Sequence, residues 1–380
     1  MQRWVGIALA LTSLSAALGC GDDSGPGAGG SGASGAAGGA GGALTGGGGS
    51  GGSAIGGSGG AGGQGGVAPV FQPTPDDVEF AAGDALGAGE WILFNDWGAT
   101  HDEVLAVDAT GQNEQLVFSS FRVWSMGVSR DGGTIAWSAG DPQQVEHYGI
   151  DIGDVIQPTF LFDVTTRTAK NLTFGNLNDE CHTFGASGAY LYLCRRYDFT
   201  TEGQSKGYRT LRIDLATLAE EFLTADDSTV FTLSPQPSPD ETTLFFYRLP
   251  LGAGFRSVSK KTIPDGAEES VVDQAGYPAL SPDGTKLASI LFSMSSSLAV
   301  TNADGTNLVV VAQGPGVSDA TWSPDGTHLA YLRDDPDGGN CSHIEIVAAD
   351  GSDVGAPVRI HDCVTSGRFI TALAWIERLP

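Results

Sequence analysis

The chain has 380 residues, with 45 acidic against 19 basic side chains and a formal net charge of −26. That balance argues against nucleic acid as a partner, because neutralising phosphates needs a basic surface, and it describes a soluble head that repels anionic surfaces. Many of the 57 glycines crowd toward the N-terminus, so whole-chain averages mislead about the remainder.

Met1 to Cys20 opens with Arg3, runs apolar from Trp4 to Leu18 and ends in Gly19-Cys20. This reads as a secretory signal, too short to be a spanning helix. Ala17-Leu18-Gly19-Cys20 resembles a bacterial lipobox, although Leu is commoner one place earlier. The resemblance implies cleavage before Cys20 and lipid on its thiol. One acyl chain would hold only weakly, and stable anchoring needs more than one. The bland alternative is a plain secreted protein with a chance cysteine. Gly21 to Gly66 is almost entirely Gly, Ala and Ser. Such a stretch buries too little apolar surface to offset its ordering entropy, so disorder is expected. Gly56-Gly57-Ser58-Gly59-Gly60 fits the Gly-x-Ser-x-Gly hydrolase pattern, but no strand precedes it and no helix follows, so composition explains it. The expected layout is a signal peptide over 1–20, a linker over 21–75 and a folded part over 76–380.

The folded part is a repeat. A turn position followed three residues later by Leu or Ile recurs at Gly89, Gly132, Gly188, Glu241, Gly284 and Gly326, at spacings of 43, 56, 53, 43 and 42. Ser281-Pro282-Asp283-Gly284 and Ser323-Pro324-Asp325-Gly326 show it most fully. Ser suits the first place of a type I turn, Pro presets φ at the second, Asp the third, and Gly closes it. The apolar run after each turn reads as a buried strand. A third strand follows in the unit, as at Leu298-Ala299-Val300-Thr301-Asn302, then a polar turn and an outer strand such as Leu308-Val309-Val310-Val311. Six such units predict an all-β, six-bladed β-propeller of four-stranded antiparallel blades.

The Ser-Pro-Asp-Gly-x-x-Leu-Ala hairpin, with the Asn302-Ala303-Asp304-Gly305-Thr306 turn, resembles the repeat of TolB-type, WD-like propellers of bacterial envelopes. The likeness covers about residues 78–380 and is sharpest in the last two units. A repeat implies a fold and not an activity. The C-terminal Ile370-Thr371-Ala372-Leu373-Ala374-Trp375-Ile376 matches Asp319-Ala320-Thr321-Trp322, an innermost strand, and has no partner of its own. Ala81-Ala82-Gly83-Asp84-Ala85 is poor strand material for that place in the first unit. The C-terminal strand is therefore expected to complete the first blade and remove an open edge.

With Cys20 lipidated, four cysteines remain. Cys181 and Cys194 lie at equal distance from a turn near Ser187, and Cys341 and Cys363 from one near Ser352. Each pair is expected to face across paired strands and form a disulfide, which an exported chain permits. The alternatives are free buried thiols or, less favoured, zinc, for which no Cys-x-x-Cys exists.

No catalytic constellation is visible. The six His include no His-Glu-x-x-His, and no Ser sits at a nucleophile elbow. Asp334-Asp335-Pro336-Asp337-Gly338-Gly339-Asn340 matches a calcium loop in composition but lacks the downstream Glu. No cofactor or metal is expected. Binding is expected at the loops joining second and third strands, which are long in blades two, three, four and six. They carry His147, Tyr197 and Arg256, and Arg195, Arg248 and Arg333 occupy equivalent places just after the second strand. Those Arg could take an acidic partner along one rim, or each could pair with an Asp of a neighbouring blade. The expected function is a lipid-anchored envelope scaffold that binds a protein or other macromolecular partner, or a ligand, through its long-loop face. The rivals are a hydrolase or lyase at the central channel and an inert surface spacer.

Overall fold

The repeated hairpin is shaped by its own side chains. In the fifth unit Ser281 Oγ donates to Asp283 (2.7 Å) and accepts from the Lys286 N–H (2.9 Å), and the Gly284 N–H closes onto the Ser281 carbonyl (2.8 Å). Gly284 takes φ +74°, the left-handed step that lets a type I turn feed a hairpin. The same bonds recur around Ser129, Ser238 and Ser323. Hydrogen bonds from these serines hold Asp131, Asp240, Asp283 and Asp325 below the usual carboxylate range.

A computed structural model gives the chain's structure. It describes residues 71–380 apart from 144–145, 148–155, 176, 197–206, 253, 293–295, 336–341, 363–369 and 380. Cys20, the linker up to residue 70, Tyr197, Cys341 and Cys363 lie outside the described residues, and with them the expected Cys341–Cys363 pair.

Six antiparallel sheets follow in chain order. The first contains β1 (Ala81–Ala82), β2 (Gly89–Asp96), β3 (Asp102–Asp108) and β4 (Gln115–Ser120). The second is β5 (Val123–Val128), β6 (Thr134–Ala139), β7 (Thr159–Asp163) and β8 (Thr168–Asn171). The third is β9 (Asn178–Phe184), β10 (Tyr190–Arg196), β11 (Tyr208–Asp214) and β12 (Glu220–Phe222). The fourth is β13 (Val230–Pro237), β14 (Thr243–Pro250), β15 (Ser257–Thr262) and β16 (Glu269–Asp273). The fifth is β17 (Ala275–Leu280), β18 (Lys286–Phe292), β19 (Ser296–Asn302) and β20 (Val309–Gln313). The sixth is β21 (Val317–Trp322), β22 (His328–Asp334), β23 (Ser342–Ala348) and β24 (Val358–His361), and β25 (Ile370–Arg378) ends the chain. This is the six-bladed propeller that the repeat predicts.

The ring closes as expected. β25 pairs with β2, setting Trp375 opposite Ile92 and Ile376 opposite Trp91. The Trp375 N–H also reaches Thr321 Oγ1 of blade six (3.3 Å). One feature differs from the sequence reading. Ala81 and Ala82 do form a short strand, but on the outer edge, opposite Ser119 and Phe118 of β4. Blade one therefore has five strands, in the order β1-β4-β3-β2-β25.

Middle strands fill the spaces between blades because both their faces are covered. Trp137 is fully buried, 4.8 Å from the Phe118 ring of blade one and 5.3 Å from Phe160. The Trp322 indole N–H donates to the Ala279 carbonyl (2.9 Å), tying blade six to blade five.

Blade four breaks the turn rule, with Glu241 at φ +55° where the other hairpins have Gly. Its carboxylate crosses to blade three and accepts from the Ser187 N–H (2.9 Å), Ser187 Oγ (2.6 Å) and Tyr192 Oη (3.1 Å). The inter-blade bonds offset a left-handed penalty of about 1–2 kcal/mol. Glu241→Gly loses the bonds but also the strain, whereas Glu241→Ala loses the bonds and keeps the strain. In denaturant unfolding the Ala variant should fall below the Gly variant by about 1 kcal/mol. Equal stabilities would show that the backbone is unstrained there.

Candidate functional site

In every blade the strand that begins on the long-loop face is the innermost, and in every blade its pairing slips. The irregularity lies between Val123 and Ser125 in β5, opposite Tyr192–Cys194 in β9, between Leu233 and Gln236 in β13, between Gly276 and Ala279 in β17, and between Ser318 and Ala320 in β21. Four residues at these bulges take left-handed backbone: Cys181, Ser234, Tyr277 and Asp319, at φ 59°, 51°, 50° and 34°. Each stands seven places before its blade's turn residue, as does Ser125. A bulge re-aims the side chain it carries. Here the bulges lie near the channel's long-loop mouth.

Asp319 accepts no hydrogen bond among the described residues, and burial alone pushes its carboxyl up to about 6. It acts electrostatically on Tyr277 of the neighbouring blade, whose hydroxyl burial pushes upward. Glu180 acts on the same tyrosine. Glu180 belongs to blade three and Tyr277 to blade five, so this interaction runs across the channel. Burial raises Glu180 too, against the Tyr208 hydroxyl that donates to it (3.2 Å). Tyr247 packs 5.3 Å from Tyr277, and Phe292 stands 6.1 Å away.

The three equivalent arginines are all engaged by carboxylates. Each is held by carboxylates of its own blade rather than by an Asp of the next. Arg195 is 3% exposed, with Nε and Nη2 on Asp179 (2.6 and 3.0 Å) and Nη1 on Glu220 (2.6 Å). Arg333 donates to Glu345 (2.7 Å), the Tyr331 hydroxyl (2.8 Å) and the Gln313 carbonyl (2.9 Å). Arg248 lies 3.7 Å from Glu268 and is the most exposed of the three. Arg256 sits over the Phe292 ring at 4.5 Å and bonds the Tyr247 hydroxyl. His147 stacks on Phe71 at 3.7 Å and meets Asp141 at 2.6 Å.

The Cys181–Cys194 disulfide is present, with Cα atoms 5.6 Å apart. The bulge moves the strict cross-strand partner of Cys194 to Glu180, leaving Cys181 as the extra residue. Equal counting from the turn still finds the pair because both cysteines remain within bridging distance. Nearby, His182 Nδ1 meets Ser125 Oγ (3.1 Å), and its Nε2 meets Thr159 Oγ1 (2.9 Å), which donates to Asp179 (3.1 Å). Burial holds this imidazole down to about 4, too weak a base to activate Ser125 near neutral pH. The arrangement braces blade two against blade three.

A polar cavity of about 410 Å³ opens at the β2–β3 loop of blade one, lined by Asp96, Thr100, His101, Glu103 and Ser119 among others. Sequence reading missed both this cavity and the bulge ring. The ring had a signal, the position seven before each turn. The cavity had none, since Asp96 and Ser119 come together only through strand pairing.

No family model and no curated protein matches the chain. Among solved structures it is similar to TolB from Acinetobacter baumannii, at 18% identity and a TM-score of 0.59, over 76% of this chain and 66% of that one. The chain thus spans just under two thirds of that TolB's length. It is also similar to a chain of the nidogen/laminin complex, at 10% identity and a TM-score of 0.53, over 76% of this chain and 98% of that one. At such identities the likeness concerns the fold: a six-bladed propeller of TolB type.

Proposed function

We propose, starting from a TolB-type propeller, that this protein is a binding head at the bacterial cell envelope. On this reading lipid on Cys20 moors it, the 21–75 linker gives it reach, and the long-loop face captures a protein partner. One observation carries the proposal: the carboxyls that burial pushes upward gather toward the long-loop end, although Asp77 and Asp227 there are held low by Thr74 and Thr229. On the turn face Asp108, Asp131, Asp163, Asp214, Asp240, Asp283, Asp304, Asp325 and Asp350 are all held low by their own turns' hydroxyls and N–H groups. Those carboxylates are already satisfied. The carboxyls pushed upward, Asp102, Glu180 and Asp319, all lie toward the long-loop end. Raised carboxyls in a cleft mark a candidate site. The same face presents Phe255, 75% exposed, and the partly exposed Arg248, and aromatics and Arg dominate interface energies.

The rival enzyme reading draws on those same carboxyls. Among the described residues the serine–histidine contact Ser125–His182 lacks a competent base, so binding is the better-supported function.

The test is capture of crosslinked partners from solubilised envelope. Phe255→Ser with Arg248→Ser should lower capture about ten-fold, one hot spot's worth of affinity. Leu308→Ser with Val354→Ser, exposed residues of the turn face, should leave capture unchanged. Both variants should melt within about 2 °C of the parent, as surface changes do. Equal capture by the two folded variants would remove the long-loop face from the proposal.

A further inference from the structure

Resting on the binding-head reading, we infer that the channel mouth is a receptor for a cationic nitrogen, an ammonium or guanidinium on a short alkyl stem, taken between the Asp319 carboxylate and the Tyr277 ring. The two residues come from adjacent blades at equivalent bulge positions, both in left-handed backbone. Neither side chain has a hydrogen-bond partner among the described residues. Asp319 is half-buried and no protein cation compensates its charge, burial being the sole cause acting on it, so a ligand N–H would add a charge-assisted donor that the protein does not supply.

The surroundings choose the sign of that ligand. An aromatic ring attracts cations through its quadrupole, and Tyr247 and Phe292 extend the aromatic wall behind Tyr277. Glu180 adds negative potential from across the channel. Arg256 also acts on Tyr277, and it is engaged with Phe292 and the Tyr247 hydroxyl. An anion would meet two carboxylates here, whereas an ammonium meets a carboxylate and a ring. Backbone strain concentrated at such positions is typical of ligand clamps.

The experiment is a titration of the full chain carrying 13C-labelled tyrosine rings, followed by NMR. The titrants are n-butylammonium chloride, an acetyl-Gly-Lys-Gly-amide peptide and, as a salt control, sodium butyrate. The ammonium or the peptide should shift the Tyr277 resonance saturably, with a Kd of about 1 mM, modest as expected for so small a ligand. Butyrate should not. Asp319→Asn should weaken binding about ten-fold, the loss of a charge-assisted contact. Asn tolerates left-handed backbone, so this variant should keep the parent's melting temperature. Tyr277→Phe should retain binding and Tyr277→Leu should lose it. Saturation by the peptide assigns the ligand to a partner's lysine, and saturation by butylammonium alone assigns it to a free amine. No saturable shift with either, or equal affinity in a folded Asp319→Asn variant, overturns the inference. The titration needs no partner protein. Its failure alongside intact capture by the long-loop face refutes the receptor alone, and lost face dependence alongside intact amine binding refutes the face alone.

Discussion

Deletion of residues 370–380 should abolish cooperative unfolding and leave a chain that aggregates. These residues carry β25, the innermost strand of blade one, so their loss opens the ring where its two ends meet. Ile376 is buried in the largest core cluster, and Leu373 and Trp375 pack against the cluster shared by blades one and six. Removing three such side chains forfeits roughly 5 kcal/mol of apolar burial, a sum comparable to the whole stability of an ordinary domain. The edge left bare is β2, whose Trp91-Ile92-Leu93-Phe94 run is buried in the intact ring. A long apolar edge strand pairs with other copies. Calorimetry should show no single sharp transition, and size-exclusion chromatography should show soluble aggregates. A monomeric deletion variant melting within about 5 °C of the parent, a shift worth only 1–2 kcal/mol at this size, would refute the closure role.

Asp179→Ala should destabilise the propeller by about 3–5 kcal/mol, the usual cost of stripping one partner from a buried ion pair. Asp179 is fully buried and accepts two bonds from Arg195, one from Thr159 (3.1 Å) and one from Thr173 (2.7 Å). It therefore joins blades two and three. Without it the Arg195 guanidinium is left in the wall with Glu220 alone. Replacing the pair together, Asp179→Leu with Arg195→Met, should recover at least half of that loss, because a buried pair contributes little against apolar groups of similar volume. Urea unfolding of Asp179→Leu, Arg195→Met and the double variant, beside Asp179→Ala, gives the comparison. If the double variant loses as much as the two single changes summed, the pair is not coupled and the blade contact rests elsewhere. The expected size of this effect is also why Arg195 serves badly as a probe of binding: a variant at this position loses capture by losing its fold.

The sequence by itself determined what depends on local chemistry or on the period. Ser-Pro-Asp-Gly closes its hairpin through bonds spanning no more than five residues, so the turns, and through their spacing the six blades, are legible from residue order. The same holds for the Cys181–Cys194 bridge, thirteen residues apart around one turn, and for β25, which repeats the inner-strand pattern at the wrong end of the chain. Only the tertiary structure decided where the equivalent arginines spend their charge. Arg195, Arg248 and Arg333 share one place in the repeat, yet Arg333 spends its charge on Glu345 of the third strand while Glu220 and Glu268 hold corresponding places at the start of the fourth, because side-chain pairing answers to which strands become neighbours. The outer strand β1 is another such case: two alanines carry no strand preference and pair only because β4 offers a free edge. The bulge ring lies between the two kinds. Its members are marked seven residues before each turn, but a one-residue slip in pairing re-aims them, and only the convergence of blades around one axis brings Asp319, Tyr277 and Glu180 to the same channel.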